Sequence, residues 1–440
     1  MRVAIDGHNL SLEKGTGIAT YARHVSLAVS QGGGAVDVLY GLPPATGSNP
    51  LLREIAFFDP SAHHEPAWAK RSRYRRMLVK GWFGLNADLV PMNGAVVVEP
   101  FRTRLPYYDA LWNIPDLFEV AQLHFRRFGR FLKVKLPSRP EVVHWTYPTP
   151  IQAVGAANIY TLHDLIPLRL PYTTTDVKRE YLAMIDVIAR KADRIVTVSE
   201  CSKTDIEQLF PQAKGRVENL YQSVLIPKAL LSKDERRLRD EVSGTFRLEP
   251  GRYLLFFGAI EPKKNVGRLI EAFLAANLDI PLVLVGSRAW KSEQELRLLE
   301  GRRGRRVILL DYATFPQLIS LIRAARAVAF PSIYEGFGLP VLEAMMCGTP
   351  VLTSRTSSLI EVASPESALL VDPYDVNEIR EGLYRLATDD ALCAQLSEAG
   401  RRRSEHFAWP DYVRRLNDLY ARVAGEHTKA QRRPRFAPAA

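Results

Sequence analysis

Cysteine is scarce in this chain: three in 440 residues, Cys201, Cys347 and Cys393, all far apart. That spacing makes neither a disulfide framework nor a metal knuckle. The expectation is a reducing, cytoplasmic setting with the three thiols serving as small buried hydrophobes. No uninterrupted apolar run approaches the ~20 residues that a membrane span needs. Met1–Asp6 is a short apolar stretch that turns polar at once, which reads as a strand and not as a signal peptide. There is no internal repeat and no low-complexity tract. Nor is there an Asp-x-Asp pair or His cluster of the kind that holds Mg²⁺ or Mn²⁺. These absences exclude disulfide-stapled, membrane-spanning, solenoid and metal-clustered classes.

What is present is an ordinary globular composition with an uneven charge. The chain is long enough for two or three domains with large cores. Its net charge is +11. Between Pro66 and Pro140 there are fourteen Lys or Arg against five Asp or Glu, densest at Lys70–Arg76, with Trp68, Tyr74, Trp82 and Phe83 interleaved. Such a surface suits an anionic membrane face, an acidic substrate or nucleic acid, and equally a solvated basic face without a partner.

The most informative stretch is Pro331–Pro350. Ala327–Phe330 is a buried-strand run, and Gly336 and Gly338 bracket Phe337 in a loop where the backbone can approach a ligand. A helix follows, with Pro340 at its start and Gly348 at its end. Gly338 and Leu339 carry no side-chain oxygen, so the first N–H groups of this helix have no local cap and favour an anion. Glu335 in the loop and Glu343 in the helix would repel a phosphate, and suit paired hydroxyls of a sugar or ribose instead.

This string, with its two glutamates eight residues apart, resembles the nucleotide-sugar site of retaining family-4 glycosyltransferases. The resemblance covers residues 142–424 well and 1–40 moderately. It implies an α/β chain of the GT-B fold: two Rossmann-like domains facing a central cleft, with a C-terminal helix crossing back to the first. The expected division is an acceptor domain at 1–222, a linker at 223–250 and a nucleotide-sugar domain at 251–408. A crossing helix at 409–425 and a disordered tail at 426–440 complete it. Residues 41–140 read as irregular and basic, with helical pieces near 69–83 and 116–133.

Other positions follow from residue pattern and resemblance together. Gly15 and Gly17 form a Gly-x-Gly loop between a strand and a helix; the third glycine of a dinucleotide fingerprint is missing. His163 ends the strand Asn158–Leu162, and Thr161–Pro167 resembles the segment whose His faces the donor sugar; Asp164 reads as its structural neighbour. Lys263 and Lys264, after Gly258, stand where cations would neutralise a diphosphate; lysines at a helix start are unfavourable without an anion. Ala259 replaces an Arg frequent in the family. Gly286, Ser287 and Asp311 fall where relatives hold the base, with Asp311 in place of a more familiar Gly. Ser199 and Ser202 read as helix N-caps.

The implied chemistry is retaining transfer of a hexose from a nucleoside-diphosphate sugar to a hydroxyl. Lys263, Lys264 and the helix start stabilise the leaving group without a metal or other cofactor. Glu335 holds the sugar hydroxyls and Glu343 the ribose, Gly336, Phe337, Gly338 and Leu339 complete the donor-binding loop, and His163 assists. The strings Tyr160–Pro167 and Glu261–Asn265 look most like bacterial O-antigen and exopolysaccharide mannosyltransferases. GDP-mannose is therefore the expected donor, and a glycan or polyprenyl-diphosphate the acceptor, at the inner membrane face and without nucleic acid. A nucleotide-sugar epimerase of the same fold and a basic nucleic-acid-binding protein are the competing readings; neither accounts for Glu335, Glu343 and the bare helix start together. A glycosidase pair of glutamates leaves the phosphate features unused.

Overall fold

A computed structural model describes residues 1–11, 17–44, 49–59, 65–94, 96–101, 105–299 and 306–432. The second half is the simpler. Leu254–Phe257, Leu282–Val285, Val307–Leu310 and Ala327–Phe330 are uniformly apolar runs, as strands covered on both faces must be. With Val351–Ser354 and Leu369–Val371 they form a six-stranded parallel sheet. Its spatial order is 307–310, 282–285, 254–257, 327–330, 351–354, 369–371. The order reverses between 254–257 and 327–330, which opens a crevice at their C-terminal ends.

The first half holds an eight-stranded sheet. Its strands run Val217–Asn219, Arg194–Thr197, Ala157–Thr161, Val142–Trp145, Arg2–Asp6, Ala35–Tyr40, Ala110–Asn113 and Asp88–Leu89. All pairings are parallel except the last. Two parallel α/β halves joined in this way are the expected GT-B architecture.

Residues 41–140 are more regular than their composition suggests. Helices run Pro50–Phe58, Ala67–Lys80 and Leu117–Phe128, and Ala110–Asn113 extends the main sheet. The helical pattern near 116–133 stops early, because Gly129 takes a left-handed conformation. Leu132–Lys135 then becomes a strand of a separate three-stranded sheet. A four-residue strand with alternating burial has too few positions to stand out from a helical period.

The expected linker carries helices Lys228–Leu231 and Glu235–Phe246, packed on the second half. Leu238 and Val242 are fully inside, and Lys233 bonds both Glu241, at 2.5 Å, and Ser320, at 2.8 Å. The C-terminal helix is longer than expected, Trp409–Arg432. It returns to the first half, where Asn417 donates to the Ala28 carbonyl at 2.9 Å and Tyr420 meets buried His144 at 2.5 Å. Residues 426–432 continue the helix, because Glu426 pairs with Arg194 at 2.6 Å and His427 faces Asp193. The remainder of the expected tail lies outside the described residues.

Candidate functional site

The crevice at the switch point is built by two loops. One follows Leu254–Phe257 and carries Lys263 and Lys264; the other follows Ala327–Phe330 and carries Glu335 to Gly338. The Ile333 N–H donates to the Lys263 carbonyl at 2.8 Å, tying them together. A polar run, Thr353–Ser358, fixes the second loop from behind. Ser354 donates to Ser332 O at 2.6 Å, Thr356 to Ile333 O at 3.1 Å and Ser358 to Glu335 O at 2.8 Å. Ser357, in a left-handed conformation unusual for its type, accepts the Glu335 N–H at 3.1 Å.

Lys264 and Glu335 form an ion pair of 2.6 Å, with side chains only 13 % and 9 % exposed. Burial pushes the Glu335 carboxyl up, but Lys264, Lys263 and the Ser332 hydroxyl outweigh it and hold it below its ordinary range. Burial also opposes charge on Lys263, and Glu335, Glu261 and Asp164 together reverse that and raise its pKa. The lysines and Glu335 therefore form one charged cluster. The sequence reading assigned the lysines to phosphate and Glu335 to sugar as separate groups. The structure couples them directly.

Beyond the cluster, helix Leu339–Cys347 starts as expected, with Gly338 at φ 102° and no side-chain cap. Among the described residues the N–H groups of Gly338 and Leu339 meet no acceptor. Glu343 has no hydrogen-bond or ion-pair partner among them either. Burial alone pushes its carboxyl up to about 8, so it is a neutral acid at pH 7, not the carboxylate expected from sequence. A carboxyl whose folded value exceeds its unfolded one contributes stability fully present below 4.5 and lost as pH rises toward about 8. The melting temperature should therefore fall across that window, and the slope should flatten in Glu343→Gln. Identical slopes in thermal scans of both proteins would refute the buried acid.

Phe337 departs from the donor-binding expectation. Its ring is buried against Phe407 and Tyr221, at 5.5 and 6.4 Å between centroids, and only its backbone is left to face the crevice. Gly336 likewise serves the other half: a Cβ there would lie 2.8 Å from the His163 carbonyl. Gly286 and Asp311 end adjacent strands as expected, the Gly286 N–H donating to Leu310 O at 2.9 Å. The Ser287 carbonyl is engaged by the Ile260 N–H at 3.0 Å, and Asp311 is exposed with no hydrogen-bond or ion-pair partner for its side chain among the described residues.

From the first half, His163 reaches the same place. Its Nε2 donates to the Thr146 carbonyl at 3.0 Å, which leaves Nδ1 as the acceptor, with Gln222 Nε2 at 3.5 Å. Burial lowers its pKa, so the ring is a neutral imidazole with a defined tautomer. Asp164 accepts the Ile166 N–H at 3.0 Å, the structural part expected of it. Gly17 opens helix Gly17–Gln31, whose Tyr21 packs edge-on to His163 at 4.7 Å. Gly15 lies outside the described residues.

Several residues at this interface were missed. Ser199 caps helix Glu200–Leu209 by accepting the Ser202 N–H at 3.0 Å, as expected. Ser202, however, also donates to His163 O at 2.8 Å and approaches Gly336 O at 3.5 Å. Glu361, from the second half, receives the Glu200 and Cys201 N–H groups at 2.8 and 2.6 Å. The Tyr334 hydroxyl bonds Asp205, and Cys201 Sγ lies 3.4 Å from it. Nothing local in the sequence marks Glu361, whose partners lie 161 and 160 positions away, or Asp205, which pairs with Arg169 in its own half and meets Tyr334 129 positions away. The polar run 353–358 is the one signal that a loop needed holding.

A family model described as "Glycosyl transferases group 1" matches residues 241–403. The O-antigen chain mannosyltransferase B of Escherichia coli is 31 % identical over 271 residues, 60 % of this chain and 69 % of that protein. The chain belongs to the group 1 glycosyltransferases. A second relative of this glycosyltransferase, the serotype-specific mannosyltransferase WbdA of Escherichia coli, is 32 % identical over 278 residues. There the chain spans 60 % of itself but only 33 % of WbdA. Among solved structures, Anabaena Alr3699/HepE in complex with UDP and glucose superposes with a TM-score of 0.65 at 13 % identity, covering 96 % of this chain and all of that one. That likeness supports the fold alone. Among the described residues of this glycosyltransferase, no helix is long and apolar enough to cross a membrane.

Proposed function

We propose that this glycosyltransferase moves mannose from GDP-mannose, with retention, to a hydroxyl of a lipid-linked or polysaccharide acceptor in surface-polysaccharide assembly. The observation that carries the transfer reading is the charged cluster of Lys263, Lys264 and Glu335 at the switch point, beside an uncapped helix start. The lysines and the free N–H groups face the charge that develops on a departing diphosphate. No step of this scheme needs a metal. Glu335 orients sugar hydroxyls, and neutral His163 assists from the sugar side through Nδ1. Glu343, protonated when the site is empty, can both donate to and accept from a ribose hydroxyl. The mannosyl and O-antigen assignment is supported by the names of the relatives and by the strings around His163 and Lys264.

Room for an acceptor exists in the first half. A cavity of about 320 Å³ opens beyond the C-terminal ends of Ala35–Tyr40 and Ala110–Asn113, lined by Leu42, Arg53, Phe57, Asp88 and Asn113 among others. Work at the cytoplasmic face of a membrane fits this reading.

The test is a thermal-shift screen of GDP-, UDP-, dTDP- and ADP-sugars with EDTA present. A ligand at 100 times its Kd stabilises by about 2.7 kcal/mol, so GDP-mannose should raise the melting temperature by several degrees. A shift with another nucleotide sugar and none with GDP-mannose would replace the donor. A shift abolished by EDTA and restored by Mg²⁺ would overturn the metal-free scheme.

A further inference from the structure

Helix Ala67–Lys80 presents two unlike faces. Inward, Met77 is buried and Arg73 pairs with Glu65 and Asp116. Outward, Trp68 and Val79 are 75 % and 65 % exposed, and Phe83, just past the helix end, is 76 % exposed. Trp68, Arg75 and Val79 are spaced i, i+7 and i+11, so they share one stripe. Arg71, Arg75, Arg76 and Lys80 are all exposed and form no ion pair among the described residues. No Asp or Glu occurs from Ala67 to Phe83.

The patch continues past the helix. Arg130 stacks over the Trp82 ring at 5.0 Å. The exposed Lys133 and Lys135 stand on the adjoining strand, whose Lys133 N–H donates to Gly81 O at 2.9 Å. Large apolar groups left in water are unfavourable. Here they stand among cations that form no ion pair among the described residues, the arrangement that places apolar groups among acyl chains and cations among anionic headgroups. A polyanion such as RNA would satisfy the cations, but it offers the exposed Val79 nothing.

We propose that this face is a docking surface for an anionic phospholipid bilayer, with Trp68, Val79 and Phe83 inserted and Arg71, Arg75, Arg76 and Lys80 at headgroup level. The inference rests on the lipid-linked acceptor reading for its purpose, and on the surface itself for its physics. Co-flotation of the full chain with phosphatidylcholine vesicles, with and without phosphatidylglycerol, tests it. Binding should require phosphatidylglycerol and fade with salt. R75S/R76S should weaken partitioning about 25-fold, roughly fivefold per cation. W68S/F83S should weaken it at least about tenfold. Both variants should keep the parent's melting temperature and nucleoside-diphosphate affinity.

Equal binding to neutral and anionic vesicles would overturn the proposal. So would variants that bind as well as the parent, or RNA captured more tightly than vesicles. Nucleotide-sugar binding without vesicle binding removes the docking surface and leaves the transfer reading standing. Vesicle binding without any nucleotide-sugar binding does the reverse.

Discussion

Replacing Glu335 by Gln is expected to lower turnover by roughly 10²–10³-fold while the protein still folds. Glu335 is held ionised against its own burial by Lys264 at 2.6 Å, by Lys263 and by the Ser332 hydroxyl. Gln keeps the shape and removes the charge that sets both lysines and receives sugar hydroxyls. The alanine variants separate chemistry from stability. Glu335→Ala leaves Lys264 buried without its partner, and Lys264→Ala does the same to Glu335. Each should cost about 3–5 kcal/mol of stability, because an uncompensated charge stays inside. The double variant should cost less than the two singles added, since no orphan charge remains. Denaturant unfolding of the four proteins checks the coupling, and single-turnover transfer checks the catalytic loss. Additive stabilities, or a Glu335→Gln enzyme of full activity, would remove Glu335 and Lys264 from the centre of the site.

Glu361→Ala combined with Tyr334→Phe is expected to open the crevice and lower kcat/KM by ten- to a hundredfold. These two side chains bridge the halves beside the donor loop. Glu361 sits on the first N–H groups of helix Glu200–Leu209, and Tyr334, the residue before Glu335, bonds Asp205. A carboxylate at a helix N-terminus with two charged hydrogen bonds contributes about 1–3 kcal/mol. Burial raises the Glu361 carboxyl above its ordinary range, and the two N–H donors offset part of that. Because Tyr334 and Glu335 are adjacent, a donor that orders the loop also positions the bridge. Small-angle scattering should show a larger radius of gyration in the variant, with nucleoside-diphosphate affinity nearly unchanged. An unchanged radius together with unchanged kinetics would mean that the bridge contributes nothing to closure.

The parallel sheet of the second half was legible because its strands are unbroken apolar runs between helical periods. A residue buried on both faces of a sheet has one acceptable chemistry, and Leu254–Phe257 or Leu282–Val285 can hardly be read otherwise. The bare helix start at Gly338 and the positions of Glu335, Lys263 and Lys264 were legible for a local reason too, since caps and loop glycines act within a few residues. Residues 41–140 were not, because short strands such as Leu132–Lys135 and Ala110–Asn113 gain their stability from partners elsewhere in the chain.

The sequence by itself thus determined the architecture, the family resemblance and which residues stand at the switch point. Tertiary structure alone decided their chemistry. It paired Lys264 with Glu335, buried Glu343 into a neutral acid, and turned Phe337 away from the crevice into the contact with Tyr221 and Phe407. It also brought Glu361 and Asp205 to the interface. Charge state and contact depend on what lies within a few ångströms, and at this site those neighbours come from segments up to two hundred residues apart.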